Sequence, residues 1–368
     1  MSFIARLRRD LEQVLFPSRD RHAIPSMDGP LSPNDILDAA IPAGPALPGA
    51  DDIVACGDGT VLVSAGCEIH RLSGPGLEHR ALFRRFERTV TAIARHPDGR
   101  VLAATAGEGL WAVAPDGTCR GLAQAGGMPL TGITAIVAGR DGTIFAAQGS
   151  SRFAPDDFLH DLMHRNRAGA LVAIPPDLAA GQVIADGLAF PAGLCLDADG
   201  PGLLFTQAWT HSLHRIAPTG GAATAVIPNL PGYPGRIAAS PDGYLLCLFA
   251  MRTHLTELVL REDDFRREMM ARIDPAYWIG PALSTTGSYY EPLQAGNVKK
   301  LGVMKPWAPP RSYGLVVELD RTGEPRRAMH SRAGGNWHGI TAAVATGDGL
   351  VAVSKGAGRI LQARWEEE

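Results

Sequence analysis

Short apolar runs alternate with polar turns along most of the chain, and one turn recurs. Asp-Gly stands at Asp58-Gly59, Asp98-Gly99, Asp141-Gly142, Asp199-Gly200, Asp242-Gly243 and Asp348-Gly349. Apolar runs flank the copies, as at 53–55 and 61–63 or at 238–239 and 245–248. Alternating apolar residues around Asp-Gly predict a hairpin, because glycine takes the positive φ of a tight turn without a Cβ clash. A glycine-rich turn and a further strand follow in 66–73, 107–117 and 356–363. The unit is strand, Asp-Gly turn, strand, glycine-rich turn, strand. Six such units, spaced at about 40 residues with two stretched intervals, predict an all-β, six-bladed β-propeller.

Two intervals are stretched by insertions, at about 149–168 in blade three and 251–312 in blade five. Residues 156–165 and 257–273 read as helical, and 279–310 as irregular and rich in Gly, Pro and aromatics. Long insertions in a compact fold serve as lids or binding loops, so both are expected over one mouth of the central channel. Upstream, Ile4, Leu7, Leu11, Val14 and Leu15 share one helical face, with Arg6, Arg8 and Arg9 off it, and Pro17 ends the pattern. That helix could dock on the propeller flank, join two copies as a homodimer, or lie on a membrane surface. Residues 18–50 read as an extended wrap, part of which could pair with the C-terminal strand to close the ring. The organisation expected is a helix and wrap over 1–50 and one propeller domain over 51–368.

Length alone, 368 residues, would suggest two or three domains; the repeat overrides it. Charged residues are 20% and hydrophobic residues 45%, which suits a packed, turn-rich β protein rather than disorder. A net charge of −3 supplies no basic face for nucleic acid. The five cysteines show no CxxC spacing; buried thiols in a reducing compartment are expected, although Cys56 and Cys67, on successive strands, could be bridged. No run of about 20 apolar residues could span a membrane, and the first residues lack a signal peptide's apolar core and cleavage site, so the expected location is the cytoplasm.

The segments Ile24-Pro-Ser-Met-Asp-Gly-Pro-Leu-Ser-Pro-Asn-Asp, Ala50-Asp-Asp-Ile, 149–158, Phe190-Pro-Ala-Gly-Leu, Asn229-Leu-Pro-Gly-Tyr-Pro, Tyr313-Gly-Leu-Val-Val-Glu-Leu-Asp and Gly339-Ile-Thr together resemble the strictosidine-synthase-like proteins, relatives of the gluconolactonase and paraoxonase propellers. The resemblance runs through nearly the whole chain from residue 24, and 149–158 and 229–234 are its most specific parts. It implies a six-bladed propeller with a small-molecule site at the channel mouth, used by metal-dependent lactonases and esterases and by a metal-free lyase.

Counting seven residues back from each Asp-Gly reaches the start of each innermost strand, and the column reads Asp51, Thr91, Thr134, Ala192, Gly235 and Thr341. The next column reads Asp52, Ala92, Ala135, Gly193, Arg236 and Ala342. In the hydrolytic relatives, the resemblance implies, ligands of calcium or another divalent ion stand at Asp51 (usually glutamate), Ala192 (usually asparagine) and Gly235-Arg236 (usually aspartate-asparagine). Only Asp51 could still ligate, so no metal or other cofactor is expected. The lyase relatives carry a glutamate where this chain reads Trp337-His338-Gly339-Ile340-Thr341.

The candidate catalytic residues are therefore His338 as general acid or base, Arg236 for a carboxylate or oxyanion, and Asp51 to orient them. The alternative for each is a structural role, as a buried histidine or an Asp–Arg brace. Asp52, Gln148, Gln207, Trp209, Tyr233, Trp337, Tyr289 and Trp307 are the candidate substrate-binding residues, with Trp278 and Tyr290 also in the long insertion. His160 and His164 have ligand spacing but lack the HExxH glutamate and a third ligand, so a packed helix is expected there. No GxSxG, P-loop or GxGxxG occurs. The function expected is an enzyme on a small organic substrate, by metal-independent lyase, condensing or lactone- or ester-hydrolysing chemistry; the alternatives are a metal-dependent lactonase or esterase and a non-catalytic binding propeller.

Overall fold

The computed structural model describes residues 23–286, 288, 290, 299–300, 303–304, 312–347 and 349–365. Six four-stranded antiparallel sheets follow one another along the chain. Their innermost strands are Ala50–Ala55, Val90–Arg95, Ile133–Ala138, Leu194–Leu196, Gly232–Ser240 and Ile340–Thr346. Each packs on the next and the sixth on the first, so the ring is closed. The fold is a six-bladed β-propeller.

Alternation along the strands gives every blade two apolar faces, and the core is divided accordingly. One buried cluster lies between each pair of neighbours: Leu62 and Ile69 against Ile93 and Val101, Leu102 and Leu110 against Ile133 and Ile144, Phe145 and Leu171 against Leu203 and Phe205. The remaining three clusters join blades four and five, five and six, and six and one.

The closing strand comes from the N-terminal wrap. Ile41 and Pro42 pair with Gln362 and Leu361, on the outer edge of the last sheet. The wrap is fastened beforehand on blade five: Asn34 donates to the Ala328 carbonyl and accepts from the His330 amide, and Asp38 accepts from Ser331 Oγ at 2.5 Å.

Three expectations need correction. The repeat reads as three strands, but each blade has a fourth, such as His79–Arg85, whose mostly exposed polar residues give no apolar alternation to read. The helix expected over 257–273 is two, α2 (His254–Arg261) and α3 (Asp263–Arg272), broken at Glu262, where ψ is 83°; in blade three, a turn at Pro155–Asp157 precedes a short α1 (Phe158–Met163). All five cysteines are free, Cys56 and Cys67 included, and only Cys195 and Cys247 are buried. The expected N-terminal helix and its dimer contact lie outside the described residues. No helix among the described residues is long and apolar enough to cross a membrane.

The Asp-Gly turns mark the hairpins by a definite mechanism in the first three blades. Asp58, Asp98 and Asp141 each accept a hydrogen bond from the backbone amide two residues on, and Gly59, Gly99 and Gly142 have φ of 79°, 93° and 86°. Gly99 has open space where a Cβ would sit, its nearest neighbour being Pro115 at 3.8 Å. Gly99→Ala therefore isolates the left-handed strain and is expected to lower stability by about 1–2 kcal/mol in urea denaturation, with the fold retained.

Candidate functional site

The inner strands begin at one mouth of the channel, and the pairing register slips there in five blades. The slips fall between Ala50 and Ile53, Val90 and Ala92, Ile133 and Ala135, Pro234 and Ile237, and Ile340 and Ala342. A bulge re-aims the side chains it contains. The skipped residues include Asp51, Asp52, Thr91, Thr134, Gly235, Arg236 and Thr341, the columns found by counting back from the turns. Asp51, Thr134, Ala192, Gly235, Arg236 and Thr341 line a small cavity of about 70 Å³. Its outer wall is apolar, built from Phe190 and Phe249 with Pro155, Phe158 and Leu283 of the two insertions.

Arg236 crosses the axis at the floor of this cavity. Nη1 donates to the Asp51 backbone carbonyl at 3.0 Å and to Asp51 Oδ1 at 3.2 Å, and Nη2 donates to the Thr91 carbonyl at 2.6 Å. Nε lies 3.3 Å from Asp52 Oδ1 without a hydrogen bond to it. Asp52 instead accepts from the Ile53 and Ile93 amides, both at 2.8 Å. One guanidinium thus joins blades one, two and five. Gly193 permits the close approach of blades four and five beside it, since a Cβ there would meet the Gly235 carbonyl at 2.4 Å.

Burial would raise the Asp51 carboxyl, but the charges of Arg236 and Lys355 pull it down to about 2. Burial wins at Asp52, whose pKa is raised even though Arg236 and the Ile93 amide pull the other way. Burial works against the Arg236 cation, yet Asp51 and Asp52 push its pKa up.

Lys355, which no column counted back from a turn can reach, is a charged residue of this cavity that the sequence reading missed. It follows the second strand of blade six (Gly349–Ser354) and places Nζ 3.4 Å from Asp51 Oδ2 and 2.6 Å from Asp156 Oδ1, on the blade-three insertion. Burial alone would lower its pKa, but Asp51 and Asp156 raise it, so it is a cation at neutral pH. Counting forward from the last Asp-Gly to the end of the next strand would have met it.

The other candidates are spread apart. His338 does not line this cavity; it lines a separate cleft with Ser284, Asn336 and Gly356. Both its nitrogens are engaged: Nε2 donates to the Arg332 carbonyl at 2.9 Å, so Nδ1 accepts from Ser312 Oγ at 2.8 Å. Burial lowers its pKa, which suits a neutral brace. Gln148 is fully buried, its Oε1 taking the Gly132 amide. Gln207, bonded to the Ala189 amide and His214, lines an outer groove together with Trp209, whose indole donates to Asp161 at 2.7 Å. Tyr233 is buried beneath them, 4.7 Å from the His211 ring, and burial raises its pKa. Trp337 packs on the wrap side of blades five and six. Tyr289 and Trp307 lie outside the described residues. Trp278 is buried and bonded to the Ile273 carbonyl, while Tyr290 is exposed. His160 and His164 both stack on Phe153, and His160 also packs on Trp278.

Calcium does not fit the donors at this mouth. Ala192 and Gly235 offer no side-chain oxygen, and Arg236 occupies the Asp51 carboxylate with a fixed positive charge. Among the described residues, no group of three or more His, Cys, Asp or Glu could hold a metal ion. A hard divalent ion wants six or more oxygens, or an octahedron completed by water.

Comparison with known proteins agrees with the resemblance in the sequence. A strictosidine synthase family model matches residues 135–217. The chain is 25% identical, over 257 residues, to an adipocyte plasma membrane-associated protein of Salmo salar, covering 67% of this chain and 55% of that protein. It is 27% identical over 183 residues to the protein strictosidine synthase-like 13 of Arabidopsis thaliana, covering 48% and 44%. The chain spans about half the length of the curated relatives it matches. A gluconolactonase of Xanthomonas campestris shares the fold at 12% identity and TM-score 0.55, covering 88% of both chains. The calcium-binding protein regucalcin of Agrobacterium tumefaciens does so at 12% and 0.54, covering 87% of this chain and 91% of that one.

Replacing Arg236 by methionine leaves Asp52 buried without its cation and Asp51 with Lys355 alone, and is expected to cost about 3–5 kcal/mol in urea denaturation. The pH dependence has a definite sign. Because the Asp51 pKa is lowered from 3.8 to about 2, its stabilisation is complete above pH 4 and lost as pH falls towards 2. Asp52, with a raised pKa, contributes with the opposite sign. Asp51→Asn should flatten the acid limb of a stability–pH profile between pH 4 and 2.

Proposed function

We propose that this chain is an enzyme acting on a small organic molecule at the channel mouth, without a bound metal, by charge stabilisation at a carbonyl or carboxyl oxygen. The observation that carries this is Lys355, a shielded ammonium on the wall of an aromatic-lined cavity. Asp156 takes one of its three N–H groups at 2.6 Å and Asp51 pairs with it at 3.4 Å, which leaves a donor for a ligand. Arg236 is committed to Asp51 and the Thr91 carbonyl, so its role is to hold Asp51 in place. If the substrate is an ester or lactone, water attacks the carbonyl carbon and the C=O π pair moves onto the carbonyl oxygen, where Lys355 N–H stabilises it. When that pair returns, the ester C–O bond breaks and the leaving alkoxide takes the proton that the water gives up. A gluconolactonase among the fold neighbours makes lactones a natural part of the substrate panel. The location expected from the sequence, the cytoplasm, stays part of this reading.

A second reading, ligand binding without turnover, is favoured by one observation. Asp51, held near 2, is a weak base, and no histidine lines the mouth among the described residues. Activity on aryl esters and lactones, measured with and without EDTA, separates the readings. Turnover insensitive to chelator is expected, with Lys355→Met lowering kcat/KM by roughly 10²–10³-fold. His338→Asn, away from the mouth, should change kcat/KM by less than about threefold, within the range of a remote substitution. Chelator-sensitive hydrolysis would overturn the metal-free reading, and binding without turnover would support the second.

A further inference from the structure

Lys355 connects the floor of the mouth to its rim, and its two carboxylate partners differ in kind. Asp51 is buried and bonded to Arg236. Asp156 stands on the Pro155–Asp157 turn of the blade-three insertion with its side chain 58% exposed. The Lys355 side chain is only 21% exposed, so the pair has one anchored member and one solvated member. Immediately beside it, Phe158, Phe190 and Phe249 offer apolar surface to the same cavity.

We propose that Asp156 holds the place of a ligand carboxylate, and that the mouth takes a small organic anion with an aromatic or aliphatic body. The ligand's carboxylate displaces Asp156 from Lys355, and its body lies on the three phenylalanines. This rests on the reading of the mouth as a small-molecule site and names its ligand class.

Charge matching favours an anion. Arg236 is occupied by Asp51 and the Thr91 carbonyl, so among the described residues lining this mouth Lys355 is the cation with a replaceable partner. When Asp156 turns out to solvent it is rehydrated at little cost, because it is already more than half exposed. An incoming carboxylate then restores the partner Lys355 has lost, so the ammonium keeps two paired carboxylates while Asp156 carries its charge into solvent. An organic cation has no such route. To reach Asp51 it must expel Lys355, whose shielded ammonium would lose both carboxylates. Asp156 leaving Lys355 also frees the space its carboxylate holds next to Pro155, at the edge of a cavity of about 70 Å³.

The test is calorimetric titration of the full chain with phenylacetate and, as its cationic counterpart of similar shape, phenethylamine. Phenylacetate is expected to bind and phenethylamine not. Asp156→Asn, which removes the competing carboxylate, should tighten phenylacetate binding roughly fivefold to tenfold, and Lys355→Met should abolish it. Thermal melts of both variants verify folding. Preference for phenethylamine, no binding of either probe, or an Asp156→Asn affinity equal to wild type would each overturn the proposal. The ester and lactone panel separates this from the proposed function. Turnover of neutral esters without phenylacetate binding sinks only the ligand class; phenylacetate binding without turnover sinks only the catalytic reading.

Discussion

A buried guanidinium on a propeller axis is tolerable only if carboxylates and carbonyls meet it there, and this requirement organises the mouth. Arg236 is answered by Asp51, by Asp52 and by the Thr91 carbonyl, which belong to two other blades. The apolar clusters between blades supply the bulk of the stability but join only neighbours. Arg236 joins blades across the axis, so the channel floor is held by directional bonds as well as by packing. The Thr341 hydroxyl, donating to the Asp51 carbonyl at 2.6 Å, extends the same set of bonds to blade six.

That arrangement separates two kinds of charge at one mouth. The floor pair is buried and each charge faces its opposite, so its pKa values move outward, Asp51 down and Arg236 up. Lys355 stands between floor and rim, with one partner from each. A fixed organic cation at the floor does what a bound ion would otherwise do for Asp51, but without open coordination positions for a substrate oxygen. Among the described residues lining the cavity, that leaves Lys355 as the cation not committed to the floor alone.

Much of this was legible because the repeat keeps phase. In the first three blades the Asp-Gly turn fixes the register of the first hairpin, and a count of seven back from the copies reaches the mouth of the ring. Asp51, Thr134, Gly235, Arg236 and Thr341 were found that way. The legibility stops where phase no longer decides. His338 sits close to the column in sequence, but its ring turns to Ser312 and the Arg332 carbonyl rather than to the channel. Lys355 lies at the far end of a second strand, and its importance depends on Asp156, brought to it from a blade three units away around the ring. The outer strands were invisible because solvent leaves their side chains free of periodic constraint.

The strand that completes the last sheet has a consequence in time. Ile41 is among the earliest residues of the propeller to leave the ribosome, and its partner Gln362 among the last. Val63 of the first blade and Val353 of the sixth belong to one buried cluster, so that cluster stays incomplete until the sixth blade has been made. The nascent chain is therefore an open arc with a sticky flank, although the entropy of joining such distant ends grows only slowly with their separation. Closure of the ring thus depends on contacts between the two ends of the propeller, made once both have been synthesised.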